Sequence, residues 1–231
     1  MERYGKTYNV WKRDETTHRL IPNRWTLPEF EYLRDCKWSF TEKIDGTNMR
    51  LILHPGGIQP IIRDGFMRDE KVRARFELKG RSDKASVHGS LLDWLRGWKD
   101  FVRPQVDELL DEEPMCIYGE GYGAGIQGGA QHYGEMHFRA FAIKVGRWWL
   151  KPEAIDDICR KLHLRQAPHI LSGTLMDGIE KVESGLRTMI GPNPGVFVAE
   201  GLIGVPEVPL LRRDGSRLVV KLKTKDLCHA D

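Results

Sequence analysis

Between residues 37 and 79 the sequence packs four segments rich in aliphatic, aromatic and β-branched residues, joined by links too short to cross a sheet. Asp45-Gly46 separates segment 37–43 from 48–54, His54-Pro55-Gly56-Gly57 leads into 58–63, and Asp64-Gly65 leads towards 72–79. Turns this short close antiparallel pairs, because parallel neighbours need a crossover of about a dozen residues or more. The first half of the chain is therefore expected to be antiparallel sheet. Leu91, Leu92, Trp94, Leu95, Trp98 and Val102 then recur at helical spacing, which predicts an amphipathic helix over 91–102 with its tryptophans in the core.

The rest of the pattern extends this arrangement. Strands are predicted at 114–118, 138–150, 195–203 and 217–223, and helices at 174–184 and at 152–163, where Pro152 loses nothing by lacking an N–H. Near the N-terminus, Thr26 and Glu29 bracket Leu27-Pro28 as a capping box for a helix reaching Leu33. Strands outnumber helices and most links are turns, so the expectation is an α+β fold of antiparallel sheets with helices packed outside, residues 1–231 forming one domain.

Composition excludes several classes. Hydrophobic residues make up 40% of the chain and seven are tryptophans, which rules out a disordered chain. The 36 basic and 33 acidic residues leave a net charge of +3, which neither demands nor forbids a polyanionic partner. Cys36, Cys116, Cys159 and Cys228 never form a C-x-x-C pair and are expected to be inert thiols. The eight histidines show no paired metal-ligand spacing, and the glycines between 119 and 129 do not form a G-x-x-x-x-G-K-[ST] phosphate loop. The N-terminus is charged from its second residue and no segment is apolar for the ~18 to 20 residues that span a bilayer, so a cytoplasmic protein without a membrane partner is expected.

The chemistry is concentrated in Glu42-Lys43-Ile44-Asp45-Gly46-Thr47-Asn48, where a lysine ends one strand and an acidic turn follows. Taken alone, the stretch also reads as a hairpin with charged residues in its turn. A lysine that attacks phosphorus must be neutral, yet a free amine is neutral in only about one molecule in 2,500 at pH 7. Desolvation and nearby cations raise that fraction. Lys221 and Lys223, two apart on a C-terminal strand, share one face and could supply both the cations and a grip on phosphates.

EKIDGTN resembles motif I, K-x-D-G-x-N/R, of the covalent nucleotidyltransferase superfamily of DNA ligases, RNA ligases and mRNA capping enzymes. Further matches follow in the family's order: YGEGYG at 118–123 resembles motif III, FRAFAI at 138–143 motif IIIa, AEGLIG at 199–204 motif IV and VKLK at 220–223 motif V. The resemblance implies a ligase-type nucleotidyltransferase domain, two antiparallel sheets with the nucleotide between them. It implies that Lys43 attacks the α-phosphate of ATP, that Glu42 reads the adenine edge and that Asn48 contacts ribose or phosphates. Glu120 would contact the ribose, Phe141 rather than Phe138 would stack on the base, Glu200 would help to hold Mg²⁺ or Mn²⁺, and Lys221 and Lys223 would grip the α-phosphate.

Lys79-Gly80-Arg81-Ser82-Asp83 resembles the G-R-[ST]-D segment of RNA ligases, which makes Arg81 the preferred phosphate-placing arginine over Arg63. Arg73, Arg75, Arg81 and Lys84 are candidates to track a nucleic-acid backbone. Ala142 departs from the family, which commonly has aspartate there, and no oligonucleotide-binding-fold domain is expected after motif V. Asn48, where DNA ligases and capping enzymes generally carry arginine, and the GRSD segment favour RNA. The expected activity is therefore that of a small RNA ligase of the phage and bacterial type, a monomer that joins 3′-hydroxyl and 5′-phosphate ends through a lysyl-AMP. A ligase of DNA or mixed nicks and a non-catalytic nucleic-acid-binding relative are the competing readings. Retention of Lys43, Glu120, Glu200, Lys221 and Lys223 together weighs against the second.

Overall fold

A computed structural model describes residues 3–63, 66–82, 85, 87–110, 112–128 and 130–228, with the backbone alone for 57–63 and 66–72. The chain divides into two compact units that each draw on separated segments. Tyr4–Asp45, Gly123–Glu135 and Ala167–Asp231 form one, called here the Lys43 unit. Met1–Arg3, Gly46–Tyr122 and Met136–Gln166 form the other, the Asn48 unit.

The Lys43 unit is built on a five-stranded sheet ordered Tyr8–Asn9, Val220–Lys223, Gly201–Pro206, Trp38–Lys43, His169–Gly173. All neighbours are antiparallel except the first pair, which is parallel. Side chains alternate across a strand. Trp38, Phe40 and Glu42 are thus buried on one face while Ser39, Thr41 and Lys43 lie on the other. Val220 and Leu222 join the same buried face, and Lys221 and Lys223 take the opposite one.

Helix Leu175–Glu183 covers the buried face with Leu175, Ile179 and Val182. Its start is fixed by a capping box, in which the Asp177 N–H donates to the Thr174 hydroxyl and the Thr174 N–H donates to the Asp177 carboxylate. The box predicted at Thr26 and Glu29 does not form. Helix Pro28–Tyr32 has Leu27 at its N-cap with no side-chain bond, the Thr26 hydroxyl is buried without a partner, and Glu29 instead accepts from Arg212. Long-range pairing with Arg212 and the packing of Phe30 into the core replace local capping.

The Asn48 unit holds a sheet ordered Trp148–Trp149, His137–Val145, Met115–Tyr122, Thr47–His54, Arg75–Gly80, with Arg165–Gln166 added in parallel beside His137–Val145. Helix Gly89–Leu109 buries Leu91, Leu95, Trp98, Val102 and Val106. It runs past the predicted end, through Pro104, because Val106 continues the apolar stripe and its burial outweighs the lost N–H. Helix Pro152–Lys161 packs Ile155, Ile158 and Cys159. Gly57–Arg63 and Phe66–Val72 form a separate hairpin.

Other boundaries differ from the sequence reading for local reasons. The strand predicted over 138–150 breaks at Gly146, whose φ of +52° turns the chain before Trp148–Trp149. The strand predicted over 195–203 is the strand Gly201–Pro206, and 217–223 shortens to Val220–Lys223. The short strands Tyr8–Asn9, Trp11–Arg13, Leu20–Trp25 and His169–Gly173 carry too little periodicity to be read in advance. No helix among the described residues is long and apolar enough to cross a membrane.

The ring of Phe40 is packed between Gly178 of the covering helix and Gly204 of the neighbouring strand. A Cβ at Gly178 would lie 2.4 Å from that ring. Helix propensity alone favours Gly178→Ala by about 1 kcal/mol, but overpacking a core costs about 1–3 kcal/mol. The variant is expected to lose stability, seen in urea denaturation as a lower midpoint with an unchanged slope.

Candidate active site

Gly201 sits between the two lysine-bearing strand ends, in register with Lys43 on one side and with Lys223 on the other. A Cβ there would lie 2.0 Å from the Leu222 carbonyl oxygen, so the close approach of these strands requires glycine. Glu200, the preceding residue, is bound through its carbonyl, which accepts from the Thr224 N–H at 2.9 Å. Its carboxylate bridges the lysines: Oε2 accepts from Lys43 Nζ at 2.6 Å and Oε1 from Lys223 Nζ at 2.8 Å. These three side chains each keep about a fifth of their surface exposed. The contact is sheltered but open to a ligand.

Lys221 lies on the same face, two residues along the strand. Burial depresses its pKa below the usual lysine value, and the positive charges of Lys223 and Lys43 add to the depression. Lys43, Glu200, Lys221 and Lys223, singled out from the sequence, thus lie together on one face of this sheet. They present one carboxylate and three amines, an arrangement suited to a polyanion with a nucleophilic amine beneath it.

Glu42 points the other way, into the interior, where only 2% of it is exposed. Its carboxylate accepts from the Thr188 hydroxyl and from the Met189 N–H. Charge-assisted bonds of this kind justify the burial of an acid. On the other side of Lys43, the Asp45 N–H donates to the Tyr133 hydroxyl at 3.2 Å. Burial raises the Tyr133 pKa, and the negative charges of Glu42, Asp45 and Glu200 raise it further, so the phenol keeps its proton. Lys43 is therefore clamped from both flanks, by Thr188 and Met189 through Glu42 and by Tyr133 through Asp45. Sequence reasoning missed Thr188 and Tyr133, since a lone Thr and a Tyr beside a glycine-rich loop carry no pattern.

The remaining candidates belong to the Asn48 unit. Asn48 and Glu120 are direct cross-strand partners, and Arg139 faces Glu120 from the other side. Directly opposed side chains lie about 5 Å apart. The Phe141 position is a β-bulge: Ala140 pairs with Gly119 and Ala142 with Tyr118, which leaves Phe141 as the extra residue. A bulge re-aims its side chain, and Phe141 stays half-buried while Ala140 and Ala142 are fully buried. Phe138, 1% exposed, is core, its ring filling the space above Gly119. Arg81 is exposed just past strand Arg75–Gly80. The Arg63 side chain, Asp83 and Lys84 lie outside the described residues.

No three His, Cys, Asp or Glu side chains converge to hold a metal among the described residues. Glu200 offers a carboxylate bonded directly to two of the amines. One carboxylate fits Mg²⁺ or Mn²⁺ that keeps water and phosphate oxygens as its other ligands. Cys116 and Cys159 are buried, and burial raises the pKa of both, that of Cys159 to about 12, in keeping with inert thiols.

Several solved structures share this fold. A variant of the Naegleria gruberi RNA ligase with ATP and manganese aligns with a TM-score of 0.57 and 16% identity, covering 97% of this chain and 56% of that one. The same ligase with pyrophosphate gives 0.56 and 16%, covering 94% and 59%. Another variant, with AMP and manganese, gives 0.52 and 14%, covering 94% and 59%. The chain thus spans less than three fifths of the length of these proteins, and the likeness establishes a ligase-type nucleotidyltransferase fold. No curated protein matches the chain by sequence. The profile described as RNA ligase matches residues 37–223, a stretch that begins just before the Lys43 strand and ends at Lys223. With most of its length so matched, the chain belongs to the RNA ligase family.

Proposed function

We propose that this protein is an ATP-dependent RNA ligase that joins 3′-hydroxyl and 5′-phosphate ends through a lysyl-AMP on Lys43. The observation that carries this reading is the convergence of Lys43, Glu200, Lys223 and Lys221 on one face of one sheet. The family match and the fold shared with ligases holding ATP, AMP and pyrophosphate support it.

In the first step the Lys43 amine leaves Glu200, sheds a proton and attacks the α-phosphorus of ATP. A phosphorus–nitrogen bond forms as the bond to the β-phosphate's bridging oxygen breaks, and pyrophosphate departs. Lys221 and Lys223 hold the α-phosphate and offset the charge that accumulates on it. Glu200, with water and phosphate oxygens, would hold a divalent cation that supplies further charge neutralisation. Next, a 5′-phosphate oxygen of the RNA attacks the adenylate phosphorus and Lys43 leaves. The 3′-hydroxyl then attacks the activated 5′-phosphate and expels AMP.

The roles implied by the resemblance for the Asn48 unit form part of the same proposal. Asn48 and Glu120 take the ribose and phosphates, Phe141 stacks on adenine, and Arg81 places a phosphate. Glu42 faces the adenine edge in the family pattern; here its bonds to Thr188 and Met189 support a holding role beside it.

Incubation with α-labelled ATP and Mg²⁺, followed by denaturing electrophoresis, is expected to label the wild type and not Lys43→Ala. A wild type that never gains AMP overturns the proposal. Chasing the labelled protein with nicks whose two strands are separately RNA or DNA is expected to show sealing when RNA is present.

Thr188→Val removes a donor from the buried Glu42 carboxylate. The expected loss of stability is about 1.5–3 kcal/mol in urea denaturation, accompanied by slower formation of the lysyl-AMP. For Lys221, a pKa lower in the folded than in the unfolded state means that the folded chain binds fewer protons. Its charge is thus a burden at pH 7 that disappears as pH rises through the lowered pKa towards the ordinary value of about 10.4. Lys221→Met is accordingly expected to raise the melting temperature near neutrality, by about 2–4 °C per kcal/mol relieved. The gain is expected to fade in scans at increasing pH.

A further inference from the structure

Segment 186–199 of the Lys43 unit exposes an unusual amount of apolar surface. Met189, Val196 and Val198 are each more than half exposed, and Phe197 keeps 40% of its surface open. A cluster of this kind marks a contact surface. The segment is nonetheless firmly held. The Thr188 N–H donates to the Phe197 carbonyl at 2.9 Å, and the Ala199 N–H to the Leu186 carbonyl at 3.1 Å. The Thr188 hydroxyl is the one that binds Glu42. Gly191, with φ +99°, lies so close to the loop at 130–134 that a Cβ would be 2.7 Å from the His132 carbonyl oxygen.

Across this contact three rings touch in series, the outer pair stacked and the inner pair tilted. The Phe197 ring stacks on His132 at 5.0 Å and 27°, and His132 lies 4.2 Å from Tyr133. Tyr133 is buried and accepts from the Asp45 N–H, so the inner end of the series is tied to the turn that follows Lys43. Phe197 is three residues before Glu200, so their Cα atoms lie within about 11 Å of each other even along a fully extended chain. Beside it, the exposed Arg187 donates to the Val196 carbonyl at 3.1 Å, which fixes a cation at the peptide link leading into Phe197.

An exposed ring flanked by a guanidinium suits an unpaired nucleotide, whose base stacks on the ring while its phosphate meets the arginine. A purely apolar protein partner would leave Arg187 unanswered. We propose that Phe197, supported by His132, is a stacking platform for an unpaired base of the RNA strand whose end is delivered to Lys43, with Arg187 taking its phosphate. Met189, Val196 and Val198 close around the base and sugar. This platform deepens the ligase reading and rests on it, because it is the joining of strands that requires an RNA end to be held beside Lys43.

The test uses the full chain and a 5′-phosphorylated single-stranded RNA octamer with 2-aminopurine near its end, read by fluorescence quenching and by affinity. Stacking on the wild type should quench the probe. Phe197→Ala and Phe197→Leu should each weaken binding by about tenfold or more and abolish the quenching, while Phe197→Trp should retain both. Arg187→Gln should weaken binding and flatten its dependence on salt. Leucine separates stacking from plain apolar contact and keeps bulk against His132, and tryptophan shows that the position tolerates change. Wild-type affinity and quenching in Phe197→Leu would overturn the platform. So would a concentration-dependent dimer that Phe197→Leu dissolves without any change in RNA binding, since the patch would then be covered by a second copy. Lysyl-AMP formation is followed separately on the wild type. Its absence would overturn the ligase reading, while the fluorescence comparison would still decide whether Phe197 stacks on RNA.

Discussion

One carboxylate, that of Glu200, accepts from lysines on the two strands that flank its own. Like charges on neighbouring strands repel, and a sheet that gathers Lys43, Lys221 and Lys223 on one face has to offset that repulsion. Glu200 does so at the strand entrance, where Gly201 lets the backbones approach and Thr224 fixes the carbonyl. The bridge keeps the amines gathered, yet each partner retains enough exposure for a triphosphate to replace it. Lys221 lies on the same face outside this bridge, and burial first, then the charges of Lys223 and Lys43, depress its pKa.

The opposite face of the same strand explains why Lys43 is so narrowly placed. Alternation sends Trp38, Phe40 and Glu42 inward, where aromatic packing holds the strand against helix Leu175–Glu183 and an acid is tied to Thr188 and Met189. A nucleophile must be held to within a fraction of an ångström to benefit from proximity. Here the rigidity comes from a buried charged bond one residue before the lysine and a tyrosine contact two residues after it. The same clamp carries segment 186–199 and its exposed ring, so Lys43 and the surface beside it share one support.

Much of this was legible in advance because it depends on short-range rules. Two-residue periodicity placed Lys221 and Lys223 on one side. The turn at Asp45-Gly46, read as closing an antiparallel pair, instead passes the chain from one sheet to another: Trp38–Lys43 pairs with Gly201–Pro206 and His169–Gly173, while Thr47–His54 pairs with Arg75–Gly80 and Met115–Tyr122, because long-range partners outcompete the local hairpin. Local signals failed where distant parts of the chain competed with them. Thr26 and Glu29 read as a capping box, but Arg212, nearly two hundred residues away, takes Glu29. The apolar spacing ended at Val102, but the burial of Val106 carries the helix on through Pro104 to Leu109. The bulge at Phe141 leaves no mark in a run of alternating residues, because it arises from the register with Met115–Tyr122.

The sequence by itself determined the sheet-rich fold class and singled out Lys43 and the charged residues that accompany it, since each follows from periodicity, turn chemistry and ordered motifs. Only the tertiary structure decided which side chains meet: that Glu200 joins two lysines, that Glu42 is buried and bonded to Thr188, and that His132 stacks on Phe197. Such contacts join residues tens to more than a hundred positions apart. Their geometry is set by strand register and side-chain packing, which no local pattern encodes.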